Sequence, residues 1–265
     1  MTGSGDPGAR NGPARTVGTN QHRVPAALVG RFGRKAPDQP WRKAVVRITS
    51  LSDGRSFCRS AESFAGERGA FDYSDGTRTV DHLWEPVEQA LGAAIDWIRR
   101  TFGPDADTDR VQELEERLGV VQRYVADITV RSPGFDAVCR RAGMTVDEVQ
   151  DLRARLAQRR RDEYAAGALD LEVRVRYDAS AGSLLLNDLG FVRLTGAEDG
   201  LLVPLAPDVA VFLRLGQPVL EEPSLGVDCL DPHLTEARRA MVEARPRTGG
   251  LGPTWLYSHP DEDAP

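Results

Sequence analysis

Apolar and polar residues alternate strictly in one segment of the second half of the chain. In LDLEVRVRY (169–177), every second residue is leucine, valine or tyrosine, and the residues between them are charged. A period of two predicts a β-strand with one buried and one exposed face. The segments SLLLND (183–188) and FVRLTG (191–196) predict further strands, and TWLYS (254–258) predicts a last one. The segment LLVPLAPDVAVFLRL (201–215) predicts a strand, a turn and a short buried helix beginning at Pro207.

Helical spacing governs the middle of the chain. Apolar residues recur at steps of three and four from about Asp81 until FGPDAD (102–107), which predicts one amphipathic helix. A second apolar stripe predicts a helix that begins at about Thr108. Pro133 is expected to end or kink this helix, because proline disfavours helical geometry in the residue before it. A short helix is expected over residues 135–141.

The clearest helix start lies in MTVDEV (144–149). Thr145 followed three residues later by Glu148 is the pattern of a capping box, in which each residue binds the backbone amide of the other. This helix is expected to run to about Ala166. Its basic stretch RARLAQRRRDEY (153–164) either meets phosphates or forms an exposed helix surface, and the interleaved apolar residues favour the exposed surface.

The N-terminal part predicts a small β unit. KAVVRIT (43–49), the turn signal SDG (52–54) and RSFCRS (55–60) predict a β-hairpin. Strands, helices and strands then follow in separate blocks, which favours an α+β fold with an N-terminal hairpin, a middle of three to four helices, and C-terminal antiparallel strands with closing helices. We expect a disordered tail over 1–19, one domain over 20–258 and a C-terminal tail over 259–265.

Composition and charge exclude some classes of protein. No run of about 18 apolar residues is present, which argues against a membrane span. The net charge of -6 does not support general nucleic-acid binding, although a local basic groove stays open. Arginine greatly outnumbers lysine, which is typical of GC-rich coding, as in actinobacteria, and is not evidence for phosphate binding. Three distant cysteines and the lack of a signal-like start favour the cytoplasm.

His22 is the first candidate for chemistry. Pro25 is expected in the first turn of a helix, with Val24 as N-cap, so that His22 lies just outside the helix. The partial positive charge of a helix N-terminus disfavours imidazolium, and a neutral imidazole could act as a general base or a metal ligand. The alternative is that its ring nitrogens bind a backbone carbonyl or a carboxylate. No paired His or Cys spacing predicts a zinc site, and the sequence identifies no cofactor.

Asp188 is the second candidate. It ends the apolar run LLLND just before Gly190. Strand ends often carry catalytic carboxylates, yet Asn-Asp before a glycine is also ordinary turn chemistry.

Several short segments, in this order, resemble an uncharacterised bacterial family, the domain of unknown function 4238. They are HRVPAALVGRF (22–32), GERGAFDY (66–73), EPVEQALGAAIDWI (85–98), VRSPGF (130–135), and LNDLGFV (186–192) with VPLAPDVAVF (203–212). The third position of the family's Pro-Leu-Ser-Pro turn is Ala206 here, and its Ser-Asp-x-Pro strand end reads NDLG (187–190). The resemblance covers about 20–258, and these departures are typical of a divergent member. It directs attention to His22 and Asp188, matches Arg131 to the family's Arg-x-Pro segment, and implies an intracellular single-domain protein with no assigned reaction.

Two hypotheses from different classes follow. In the first, the protein is a hydrolase of a phosphodiester-like bond: His22 is the base or a metal ligand, Asp188 orients or ligates, and Arg131 binds an anion. In the second, it is a non-catalytic interaction or regulatory protein, in a defence or stress context, and the same residues brace the fold. The sequence identifies no binding partner under either hypothesis.

Overall fold

The computed structural model shows an α+β fold. Helices and mostly antiparallel strands occupy separate stretches of the chain, as the sequence predicts. The structure describes residues 18, 20–64, 66–103, 114–165, 171–178, 183–194, 199–214, 226–243 and 254–261.

The elements are numbered in chain order. The helices are α1 (Ala26–Gly30), α2 (Glu85–Phe102), α3 (Leu114–Arg131), α4 (Pro133–Arg141), α5 (Val146–Ala165) and α6 (Leu234–Glu243). The strands are β1 (Asn20–His22), β2 (Val45–Ser50), β3 (Ser56–Ser60), β4 (Gly66–Arg68), β5 (Leu171–Val175), β6 (Leu186–Asn187), β7 (Val192–Leu194), β8 (Gly200–Ala206), β9 (Val209–Arg214), β10 (Gly226–Cys229) and β11 (Trp255–Ser258).

A four-stranded sheet unites the two ends of the chain in the order β3-β2-β11-β6. The predicted hairpin is present as the antiparallel pair β2 and β3. The predicted last strand, β11, pairs antiparallel with β2, with Tyr257 opposite Ile48. Both side chains are fully buried, so burial of apolar surface fixes this pairing across about two hundred residues of sequence.

A five-stranded sheet has the order β10-β5-β9-β8-β7 and is antiparallel except for the parallel pair β10 and β5. The helix expected from Pro207 is wrong, because residues 209–214 form β9 and pair with both β5 and β8. Every residue of β8 is buried. A continuous apolar run does not distinguish a buried strand from a buried helix, and here the neighbouring strands decide.

The helical middle consists of α2 to α5, within the predicted number of helices. The capping box is confirmed: the amide of Glu148 donates to Thr145 Oγ1 at 3.3 Å, and the amide of Thr145 donates to Glu148 Oε2 at 2.7 Å. The helix after Val-Pro begins one residue later than expected, because Pro25 is the N-cap of α1. Its carbonyl accepts the amides of Leu28 and Val29, which are buried in the core.

Both predicted tails lie largely outside the described residues. Of 1–19, only Gly18 is described, and its amide donates to Asp72 Oδ2 at 2.7 Å. Of 259–265, residues 259–261 are described. Arg47 Nε of β2 donates to the carbonyl of Pro260 at 3.2 Å, so this part of the C-terminal segment lies against the four-stranded sheet.

Candidate functional site: a buried arginine cluster beside His22

His22 ends the short strand β1, which pairs antiparallel with β4. Its imidazole is largely buried, and within the described residues its Nε2 is a buried atom with no hydrogen-bond partner. Burial lowers the pKa of His22, and the charge of Arg131 lowers it further, whereas Glu88 and Asp81 act in the opposite direction. The ring is therefore neutral near pH 7, as expected, but burial is the main cause and not the end of a helix.

Arg131, the last residue of α3, reaches the backbone of the same strand. Its Nη2 donates to the carbonyl of His22 at 2.6 Å and to Glu88 Oε1 of α2 at 2.6 Å. The guanidinium lies 4.9 Å from the centroid of the Trp84 ring and is fully buried. A charge-assisted pair of this length in a dry site is strong, and it joins β1, α2 and α3 at one point.

Arg131 and two further arginines surround a second buried ring, that of Phe71. The guanidinium groups of Arg23, Arg131 and Arg153 lie between 5.1 and 5.8 Å from the centroid of Phe71. Asp136 of α4 binds two of them, with Arg23 Nη2 at 2.6 Å from its Oδ2 and Arg153 Nη2 on its Oδ1. Arg23 also donates through Nε to the carboxylate of Glu67 at 2.9 Å. We call Arg23, Arg131, Arg153 and Phe71 the arginine cluster.

The exposed surface expected for the basic stretch 153–164 is wrong at its first residue. Arg153 is 0 % exposed, and its Nε donates to the carbonyl of Val130 at 2.8 Å. Burial lowers the pKa of Arg153, and the adjacent carboxylate of Asp136 counteracts that effect. A sequence signal existed, because Arg153 lies four residues after Val149 and four before Ala157, both buried on the same face of α5.

Asp188 follows β6 and is held by the backbone of the adjacent β11 segment. Its Oδ1 accepts the amide of Thr254 at 2.9 Å, and its own amide donates to the carbonyl of Trp255 at 3.1 Å. Burial raises the pKa of Asp188 to about 6, although the backbone hydrogen bonds favour the ionised form. The side chain of Asn187 accepts the amide of Gly190 at 3.0 Å, which is the turn chemistry considered as the alternative.

The structure thus brings two of the three candidate residues together. Arg131 donates a hydrogen bond to the backbone carbonyl of His22, whereas no hydrogen bond or ion pair in the described stretches joins Asp188 to either of them. The loop after Asp188 does approach the segment after His22, because a Cβ placed on Gly190 would lie 3.1 Å from Val24 Cγ2. The sequence did not single out Arg23 or Arg153.

Neither a metal centre nor a membrane span is found among the described residues. In the parts of the chain that the structure describes, no three His, Cys, Asp or Glu side chains are grouped so that they could hold a metal ion. Among those residues, no helix combines the length and apolar character needed to cross a bilayer.

No family model, curated protein or solved structure matches the chain. The resemblance to the domain of unknown function 4238 therefore stays a prediction.

Proposed function

We propose that this chain is a non-catalytic interaction or regulatory protein in which the arginine cluster and His22 brace the fold. The supporting observation is the state of Arg131, the residue expected to bind an anion. Its Nη2 is already bound by Glu88 and by the carbonyl of His22, in a buried position. A substrate anion would have to displace an internal carboxylate and then find the guanidinium beneath the surface.

The remaining charges of the cluster are paired in the same way. Arg153 and Arg23 share the carboxylate of Asp136, and Arg23 also binds Glu67. Paired buried charges add little net stability, but removing one partner from such a pair costs about 3–5 kcal/mol. This makes the cluster suited to fixing the relative positions of β1, α3, α4 and α5.

A phosphodiester hydrolase is the second candidate, and one observation favours it. His22 combines a lowered pKa with a buried Nε2 for which the described residues supply no partner, which is the form a general base requires. Asp188, with its pKa raised to about 6, could donate a proton near neutral pH. Arg131 would contribute Nε, the nitrogen with no partner in the described residues.

The cellular setting belongs to the same proposal. We place the protein in the cytoplasm of a bacterium, with a role in defence or stress. The location is supported by the cysteines, because Cys58, Cys139 and Cys229 form no disulfide.

One set of variants separates the two candidates. We expect Arg131→Met to lower the free energy of unfolding by about 3 kcal/mol, because the buried ion pair between Arg131 and Glu88 is broken. Arg100→Met, at an exposed position of α2, is the matched control and should change it by less than about 0.5 kcal/mol. Urea denaturation measures both.

The catalytic readout uses hydrolysis of bis(p-nitrophenyl) phosphate between pH 6 and 8, with and without added divalent cations. If these residues only brace the fold, His22→Gln and Asp188→Asn leave any background hydrolysis unchanged. Hydrolysis that both variants abolish while both remain fully folded by circular dichroism at the assay temperature would overturn the proposal and support the hydrolase.

A further inference from the structure

Strand β3 forms an open edge of the four-stranded sheet. Within the described residues its one neighbouring strand is β2, and every residue from Ser56 to Arg59 is exposed. An exposed edge presents unpaired N–H and C=O groups, which are a template for pairing with another strand. Natural proteins often protect such an edge with charged residues, and this strand carries one, Arg59, beside an exposed aromatic residue and a cysteine.

The backbone hydrogen bonds define which residues face outwards. In an antiparallel pair, residues that bond to the partner strand alternate with residues whose polar groups point away. At one end of the pair, the amide of Ser50 donates to the carbonyl of Arg55 at 2.9 Å. At the other end, the amide of Ala61 donates to the carbonyl of Ala44, also at 2.9 Å.

Steps of two residues along β3, from Arg55 or from Ala61, reach the same hydrogen-bonded residues. Phe57 and Arg59 bond towards β2, opposite Ile48 and Val46 in the register. The N–H and C=O groups of the other three residues of β3 therefore point to the open edge. They belong to Ser56, Cys58 and Ser60.

In β3, SFCRS, a serine lies two residues from Cys58 on either side, whereas the residues next to Cys58, Phe57 and Arg59, differ. If two copies pair antiparallel around a two-fold axis through Cys58, Ser56 of each copy lies opposite Ser60 of the other. Ser56, Cys58 and Ser60 then lie at the hydrogen-bonded positions of the interface. The carbonyl of Ser60 already accepts Ser63 Oγ at 2.9 Å and would use its second lone pair for the partner strand, so that six hydrogen bonds can form. A register shifted by one residue would place inward-pointing groups at the interface.

The side chains fit the same arrangement. Phe57 of each copy lies opposite Arg59 of the other at a close, non-hydrogen-bonded position, with Cα atoms about 4.5 Å apart. A guanidinium over an aromatic face is attractive. The Phe57 ring is 37 % exposed and is oriented by edge contacts with Phe64 and Trp255, at 5.4 and 6.0 Å between centroids. It is thus held in place while part of its surface stays accessible.

We propose that β3 is a homodimerisation strand, which joins two copies of this chain through an antiparallel pair centred on Cys58. The interface is isologous and closes on itself, so it gives a dimer and not a fibre. Two four-stranded sheets become one continuous eight-stranded sheet. The proposal is independent of the proposed function, because none of its residues belongs to the arginine cluster.

Oligomeric state and disulfide trapping test the proposal. Under reducing conditions, sedimentation should show a dimer, and Cys58→Pro should be monomeric. Proline at this position removes an outward N–H and no bond to β2, so the sheet is retained. Cys58→Ser is the matched control and should remain dimeric. Arg59→Glu, a second variant, should raise the dimer dissociation constant about tenfold, because two cross-strand pairs are lost.

Disulfide trapping tests the register in which the two β3 strands pair. Opposed hydrogen-bonded residues have Cα atoms about 5.5 Å apart, within disulfide range. Diamide takes two electrons and two protons from two thiols and should link Cys58 of one copy to Cys58 of the other. In a Cys58→Ser background, Ser56→Cys and Ser60→Cys proteins should cross-link when mixed, but neither should do so alone.

Three outcomes would overturn the proposal. The first is a wild-type monomer at about 100 µM, whether or not β3 captures a strand of another protein. The second is a dimer that persists in Cys58→Pro with unchanged affinity. The third is cross-linking of the Ser56→Cys protein with itself as fast as with the Ser60→Cys protein.

Discussion

Replacing Arg153 by methionine tests the arginine cluster most directly. Methionine keeps the length of the aliphatic part of the side chain but removes the guanidinium. That group binds Asp136, Gln150 and the carbonyl of Val130 in a fully buried position. Asp136 retains Arg23 at 2.6 Å, so its charge is not left alone. The loss should therefore lie at the lower end of the range for a broken buried pair, about 3 kcal/mol.

Urea denaturation followed by far-UV circular dichroism is the assay. Arg155→Met, two residues along α5 at an exposed position, is the control and should lie within about 0.5 kcal/mol of the wild type. A double-mutant cycle with Asp136→Asn should give a coupling energy of about 1–3 kcal/mol. If Arg153→Met is as stable as the Arg155→Met control, or the coupling is zero, Arg153 does not brace the fold.

Three further predictions concern Asp188, Thr145 and Gly190. The pKa of Asp188 is raised from 3.8 to about 6 in the folded state, so its protonated form favours folding, and stability is lost as the pH rises through that window. Between pH 4 and 7.5 the unfolding free energy of the wild type should therefore fall, and Asp188→Asn should make this fall smaller by up to about 3 kcal/mol. Asp38→Asn, at an exposed position, is the control and should leave the fall unchanged. Thr145→Ala should cost about 1 kcal/mol in chemical denaturation, because an amide of the first turn of α5 loses its cap. Gly190→Ala should cost more than about 2 kcal/mol, since φ is +80° and its Cβ would lie 2.8 Å from Ile128 Cδ1, and Ile128→Val should restore part of that loss.

Only part of the candidate site could be predicted from the sequence. Pro25 and the Arg-x-Pro segment drew attention to His22 and Arg131, and the structure joins these two by a hydrogen bond. Arg153 was missed because a charged residue within a basic stretch is ordinarily exposed. Its burial depends on the carboxylate of Asp136 in α4 and the carbonyl of Val130 in α3, and a pattern within one helix does not contain them.

The sequence alone determined the local elements. Helical spacing, the strand β5, the SDG hairpin and the capping box at Thr145 all depend on neighbouring residues, and each is present in the structure. The exposed face predicted for β5 is wrong, because Glu172 and Arg174 are buried and Arg174 Nε donates to Glu172 Oε1 at 2.6 Å. These signals are local because backbone geometry repeats over two to four residues.

Tertiary structure decided how these elements combine. The apolar run over 209–214 satisfied both a helix and a strand, and its strand state follows from hydrogen bonding to β5 and β8 on either side. The pairing of β11 with β2 and the gathering of Arg23, Arg131 and Arg153 around Phe71 likewise join segments far apart in the sequence. Burial of apolar surface and pairing of buried charges act between such segments, so their outcome depends on the whole fold and not on any one pattern.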